Sequence, residues 1–112
     1  MAAHPEVKAF FGTGEPNAEG TAAALKALGL TGKVLDVGFD AGPTEVTLLK
    51  SGEINALVAQ PAAEEGANAA QFAYDKITGN ASGITASVQL PDVLLTTTNA
   101  QQPAFKKYFY IP

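Results

Sequence analysis

The sequence of 112 residues has no cysteine, no arginine and a single histidine. Lacking cysteine, it forms no disulfide, thiolate metal site or cysteine nucleophile, although this leaves the compartment open. The missing arginine, with a formal net charge of −4, argues against nucleic acid as a partner, because neutralising phosphates needs clustered Lys and Arg. His4 stands beside Pro5 near the start, far from any strand end, so no Ser/His or Cys/His pair is visible and no enzyme is expected. No metal-ligand spacing is present, and the scattered glycines of "GTGEPNAEG" make neither a P-loop nor a dinucleotide fingerprint, so no cofactor is implied. No apolar run approaches the roughly 20 residues that span a bilayer. The opening "MAAHPEVKAFF" lacks the basic-then-apolar layout of a secretory signal.

What is present is an apolar fraction of 46% against 16% charged, which fits a folded core and not a disordered tail. The length suits one domain, so a soluble, mildly acidic, single compact unit is expected. "VKAFFGT" is β-branched and aromatic and predicts a strand over Val7 to Thr13. Pro16 suits the first turn of a following helix, where Ala18, Ala22, Leu25 and Leu28 recur at helical spacing and Gly29 supplies a stop. "KVLDVGFD" is a second strand. It leads into a short helix opened by Pro43, with Val46 and Leu49 inward and Gly52 at its end. "INALVAQ" is a third strand, and a longer helix follows over about Ala62 to Thr78, ended by Gly79. Ala63, Ala67, Ala70, Tyr74 and Ile77 form a stripe on that helix whose small residues would let it lie close to a sheet. "GITASVQLPDVLLTTTN" is β-rich and broken at Pro91. Phe105, Tyr108 and Phe109 would share a face of a last helical turn or two.

The order β-α-β-α-β-α followed by β structure implies an α/β fold: a parallel sheet with flanking helices. Apolar strands such as "ALVA" suit a sheet covered on both faces. Asp36 is unusual within its strand and reads as an exposed start to it. Parallel strands open their carboxyl ends onto one edge, where helix N-termini offer unpaired N–H groups. Open α/β sheets bind ligands outside those ends. Thr13 and Glu15, Asp40 and Gln60 fall there. Each also has a plain structural reading. Asp40 can cap the next helix as an Asx turn, Gln60 is held extended by Pro61, and Glu15 complements a helix dipole. Three successive strands delivering polar side chains to one edge favour a ligand site.

"GKVLDVGFDAGPTEVTLLKSGEINALVAQPAAEEGANAAQFAYDKITG" resembles the C-terminal lobe of the type I periplasmic sugar-binding proteins, the ribose-binding group that serves ABC importers. "HPEVKAFFGTGEPNAEGTAAALKALGL" is similar to the strand and helix preceding it there, and "LLTTTN" to the late strand that recrosses the hinge. The resemblance implies a partial type I lobe over 1–90, and a hinge-crossing strand and tail over 91–112. It implies a sugar-contacting aspartate at Asp40 and a contacting glutamine at Gln60, with a sugar or polyol as ligand. A carboxylate accepts hydrogen bonds from sugar hydroxyls, and an amide both donates and accepts. The first loop departs from the pattern. Gly14–Glu15 stands where many relatives carry Asn–Asp, which puts ribose in doubt and leaves Glu15 or Asn17 as substitutes.

Family members are longer and clamp their ligand between two lobes. The expectation is therefore a C-terminal fragment or one chain of a split receptor, needing the missing N-terminal lobe or a complementary chain for tight binding. The whole receptor would be periplasmic or membrane-anchored outside the cell and would dock on an ABC permease. Unpaired sheet edges also invite self-association. Two alternatives stay open: the effector-binding part of a sugar-responsive transcription regulator, and a small stand-alone α/β oligomerisation protein.

Overall fold

Three β-α units run in sequence before the chain changes direction. The structure, a computed structural model, describes residues 4–110. Strand β1 (Ala9–Gly12), helix α1 (Glu15–Ala27), β2 (Leu35–Phe39), α2 (Pro43–Ser51), β3 (Ala56–Ala59), α3 (Ala62–Ile77) and β4 (Val93–Thr96) follow one another. Short 3₁₀ turns cover Ala81–Gly83 and Pro103–Tyr108. The sheet order is β1-β2-β3-β4; β1, β2 and β3 are parallel, and β4 runs antiparallel to β3. Only Val93–Thr96 of the β-rich stretch pairs as a strand, and the tail forms a 3₁₀ turn in place of an α-helical one.

Local chemistry sets the boundaries. Pro16 and Pro43 sit in the first turns of α1 and α2, where a missing N–H leaves no bond unmade. Gly52, at φ 79, caps α2 in the left-handed conformation that glycine adopts without a Cβ clash. Ala18, Ala22 and Leu25 of α1 and Val46 and Leu49 of α2 are buried against the sheet. Gly38 lets the layers approach: a Cβ there would lie 2.8 Å from Leu57 Cδ2 and 2.9 Å from both Ala18 Cβ and Glu45 Oε1. Leu57 and Leu95 are in register with Gly38 on the same side, and both are fully buried.

The opposite side of the sheet is different. Cross-strand neighbours Phe11, Leu35, Val37, Phe39, Val58 and Leu94 lie on that side by register and alternation. Phe11 is 56% exposed, Leu35 49% and Leu94 56%. The sheet is thus covered on one face only, contrary to the expectation of two. Its strands read as fully apolar because their second face is apolar as well, not because this chain covers it.

Helix α3 also departs from expectation. None of its residues is buried. Tyr74 and Ile77 are exposed, and the helix makes its main contacts with the two 3₁₀ turns and not with the sheet. The radius of gyration is 17.7 Å, against about 13 Å for a compact domain of this length. The molecule is elongated, at 59 × 32 × 18 Å, and not the compact unit the composition suggested. Asp36 is a further correction. It is completely buried on the helix-covered side, and neither carboxylate oxygen has a hydrogen-bond partner. Burial pushes its carboxyl up to about 6.

Candidate ligand-binding edge

The parallel pairing of β1, β2 and β3 brings Gly12, Phe39 and Ala59 to one edge. Thr13, Asp40 and Gln60 are the residues that follow each strand. At Asp40 the chain turns sharply: its φ of 93 makes it the only non-glycine residue with positive φ among those described. A non-glycine residue is held in that region only when its surroundings over-determine it. Here the Asp40 N–H donates to the Val58 carbonyl at 2.8 Å, prolonging the β2–β3 ladder by one bond. Ala41 and Gly42, which follow, are buried. Strand alternation therefore stops at Phe39, and the orientation of Asp40 is set by the turn.

The Asp40 carboxylate does not cap α2. That helix is capped by Glu45, whose Oε2 accepts the Gly42 N–H at 3.2 Å. Asp40 Oδ1 accepts instead from the Tyr110 hydroxyl, at 3.1 Å. The same hydroxyl accepts the Gln60 backbone N–H at 3.3 Å, while the Tyr110 N–H donates to the Ala41 carbonyl at 3.0 Å. One phenol thus joins the ends of β2 and β3. Burial, and the charge of Asp40 beyond it, push this phenol up to about 12, so it stays protonated and able to donate. Asp40 and Gln60 are both half-buried. Asp40 Oδ2 and the Gln60 side-chain amide make no hydrogen bond among the described residues.

The other two candidates are placed less centrally. The Glu15 carboxylate packs against Gly42, where any Cβ would collide with it. It lies close enough to Glu45 to raise that group's proton affinity, as do Asp40 and Glu19. Burial is the larger cause, and the Glu45 carboxyl is pushed up to about 7. Glu45 Oε1 has no hydrogen-bond partner. Thr13 is exposed, and its hydroxyl accepts from the Asn17 amide at 3.2 Å. Asn17 is thereby occupied with Thr13. The structure thus brings Asp40 and Gln60 together, sets Glu15 against the base of α2, and leaves Thr13 with Asn17. No group of three or more His, Cys, Asp or Glu side chains is gathered as metal ligands among the described residues.

Sequence reasoning missed Tyr110. It lies 70 residues from Asp40, and the aromatic pattern of the tail directs attention to Phe105, Tyr108 and Phe109. Glu45 was also missed, although Glu at the third position of a helix opened by Gly-Pro is a recognisable capping signal.

Three parallel strands whose carboxyl ends are followed by Thr13, Asp40 and Gln60, beside helix N-termini, form the open edge at which α/β sheets bind ligands. A family profile described as periplasmic binding protein domain matches residues 1–81, and the chain belongs to that family, whose members are binding proteins. The D-allose-binding periplasmic protein of Escherichia coli (strain K12) is 36% identical over 72 residues, which cover 64% of this chain and 23% of that protein. An ABC transporter solute binding protein from Agrobacterium vitis, solved with bound α-D-tagatopyranose, superposes with a TM-score of 0.90 at 29% identity, over 99% of this chain and 37% of the other. A second from the same organism, with bound D-fucose, gives a TM-score of 0.88 at 27% identity, over 97% and 37% of the two chains. This chain therefore spans about a quarter of the curated relative and little more than a third of these structural relatives.

Proposed function

We propose that the chain supplies one sugar-receiving edge of an ABC-importer solute receptor, with Asp40 and Gln60 as the principal ligand contacts and Glu15 and Thr13 at the margin. The observation that carries this reading is the junction at Tyr110, which holds the ends of β2 and β3 within one hydrogen bond of the same oxygen. An ionised carboxylate accepts hydroxyl hydrogens, and an amide donates to one hydroxyl and accepts from another. A neutral polyol meets both needs. Relatives that bind D-allose, D-tagatose and D-fucose support a monosaccharide as the class of ligand.

A site on one edge leaves most of a sugar's surface in water, and tight binding needs the larger part buried. The chain therefore acts with a complementary lobe, supplied by the rest of a receptor or by a second polypeptide, and the complete receptor works outside the cytoplasmic membrane with an ABC permease. The open apolar sheet face supports the same requirement, because large exposed apolar patches mark interaction surfaces. It also favours a second reading, in which copies of this chain associate through that face.

Calorimetric titration with aldohexoses, ketohexoses, pentoses and inositols, on the chain alone and mixed with a complementary lobe, tests the proposal. Sugar heats should appear with the mixture, and Asp40→Ala or Gln60→Ala should each weaken binding by ~1–3 kcal/mol, the cost of removing a buried hydrogen-bond partner. Undiminished affinity in both variants would remove these residues from the site. Self-association of the chain with no response to any sugar or lobe would favour the second reading.

A further inference from the structure

Tyr110 touches both candidate contacts yet belongs to neither strand. Its hydroxyl oxygen receives the Gln60 N–H, so its own hydrogen is directed to Asp40 Oδ1. Its backbone N–H is fixed on the Ala41 carbonyl, and its ring packs against the hydrophobic core. The residue it grips carries the strained backbone of the turn, at φ 93. We infer that Tyr110 is a positioning residue of the binding edge: its phenol clamps the Asp40 carboxylate and the Gln60 backbone into one fixed arrangement, so that ligand meets a preformed rim. The inference deepens the proposed function and rests on it for the identity of the ligand.

A tail residue standing at a ligand edge can also be a plug that ligand displaces. The anchoring speaks for a clamp. Displacement would break the backbone bond to Ala41 and pull an aromatic ring from the core, whereas a clamp keeps both. With Oδ1 engaged by the phenol, the carboxylate keeps one rotamer and offers Oδ2 to the incoming hydroxyl. Preorganisation of this kind strengthens binding by lowering the ordering cost, without itself contacting ligand.

Tyr110→Phe removes the hydroxyl and keeps the ring, and amide hydrogen exchange reads the result with no sugar present. The Gln60 amide should exchange at least about tenfold faster in the variant, while the core amide of Leu57 is unchanged. Equal protection of Gln60 in both proteins, or a uniform rise across the sheet, overturns the inference. A double-mutant cycle on sugar affinity, with the complementary lobe present, supplies the second readout. Tyr110→Phe should weaken binding about tenfold in the parent and distinctly less in the Asp40→Ala background, where only the Gln60 half of the clamp remains to be lost. Tighter binding by Tyr110→Phe would make the residue a plug, and equal losses in both backgrounds would make it merely structural; either overturns the clamp. If no sugar binds the parent while Gln60 still loses protection selectively, the sugar assignment fails and the clamp stands.

Discussion

Two carboxylates, Asp36 and Glu45, are buried completely without full hydrogen bonding. Their folded-state carboxyls are raised to about 6 and about 7 from 3.8 and 4.5, so the native chain holds protons that the unfolded chain has already released. Stability then falls as pH rises through this window. At pH 5 both groups are largely neutral in the fold; by pH 8 both are charged with no cation beside them, at a cost on the order of 3 kcal/mol apiece. Urea denaturation should show the chain distinctly more stable at pH 5 than at pH 8. Asp36→Asn, which stays neutral, should flatten the lower part of the curve, and a flat curve in the parent would show that these carboxylates find partners. Neither burial was legible in the sequence. "VLDVGFD" places Asp36 and Asp40 two strand steps apart on paper, yet one is sealed on the helix-covered face of the sheet and the other is turned out by its own positive φ. Only the packing of distant helices distinguishes them.

Among the elements, α1 and α2 were legible because their signals are local. Prolines at their starts, Gly29 and Gly52 at their ends and small residues at helical spacing act within a turn or two. Their distance from the sheet is set at Gly38, where an added methyl meets Leu57, Ala18 and Glu45 within 2.9 Å. Overpacking of that sort costs about 1–3 kcal/mol, so Gly38→Ala should lower the denaturation midpoint, and an unchanged midpoint would mean that α1 slides freely on the sheet. Helix α3 offers the contrast. Its ends, at Pro61 and Gly79, were as readable as those of α2, and its apolar stripe is real. That stripe stays exposed, Tyr74 and Ile77 included. Ile77 is 84% exposed, so Ile77→Lys should change the stability of the isolated chain by no more than about 0.5 kcal/mol, measured in the same denaturation experiment. A larger loss would place α3 on the sheet.

For the molecule as a whole, the decisive feature is the open sheet face. Sequence pattern identifies apolar strands, but it does not tell a strand covered on both sides by its own chain from one awaiting another. The parallel order of β1 to β3 was legible from the alternation of elements; the one-sided cover and the elongated outline were not, because both depend on how distant elements pack and not on the local pattern. Phe11, Leu35 and Leu94 form an apolar area that water covers at a cost of about 25 cal/mol for each Å². The isolated chain should therefore self-associate with rising concentration in light scattering, and Phe11→Lys with Leu94→Lys should suppress this without loss of secondary structure. A monodisperse parent at high concentration would show the face to be satisfied already.

The antiparallel pairing of Ala59 with Val93 brings the chain back to the place it left. Nothing between Ala62 and Asp92 is buried, so that stretch is a detour whose removal costs the core no side chain. Bridged by a tight turn, β3 and β4 become a hairpin. The shortened protein would be a minimal scaffold that retains Asp40, Gln60 and Tyr110 and offers a ready splice point for grafting foreign segments.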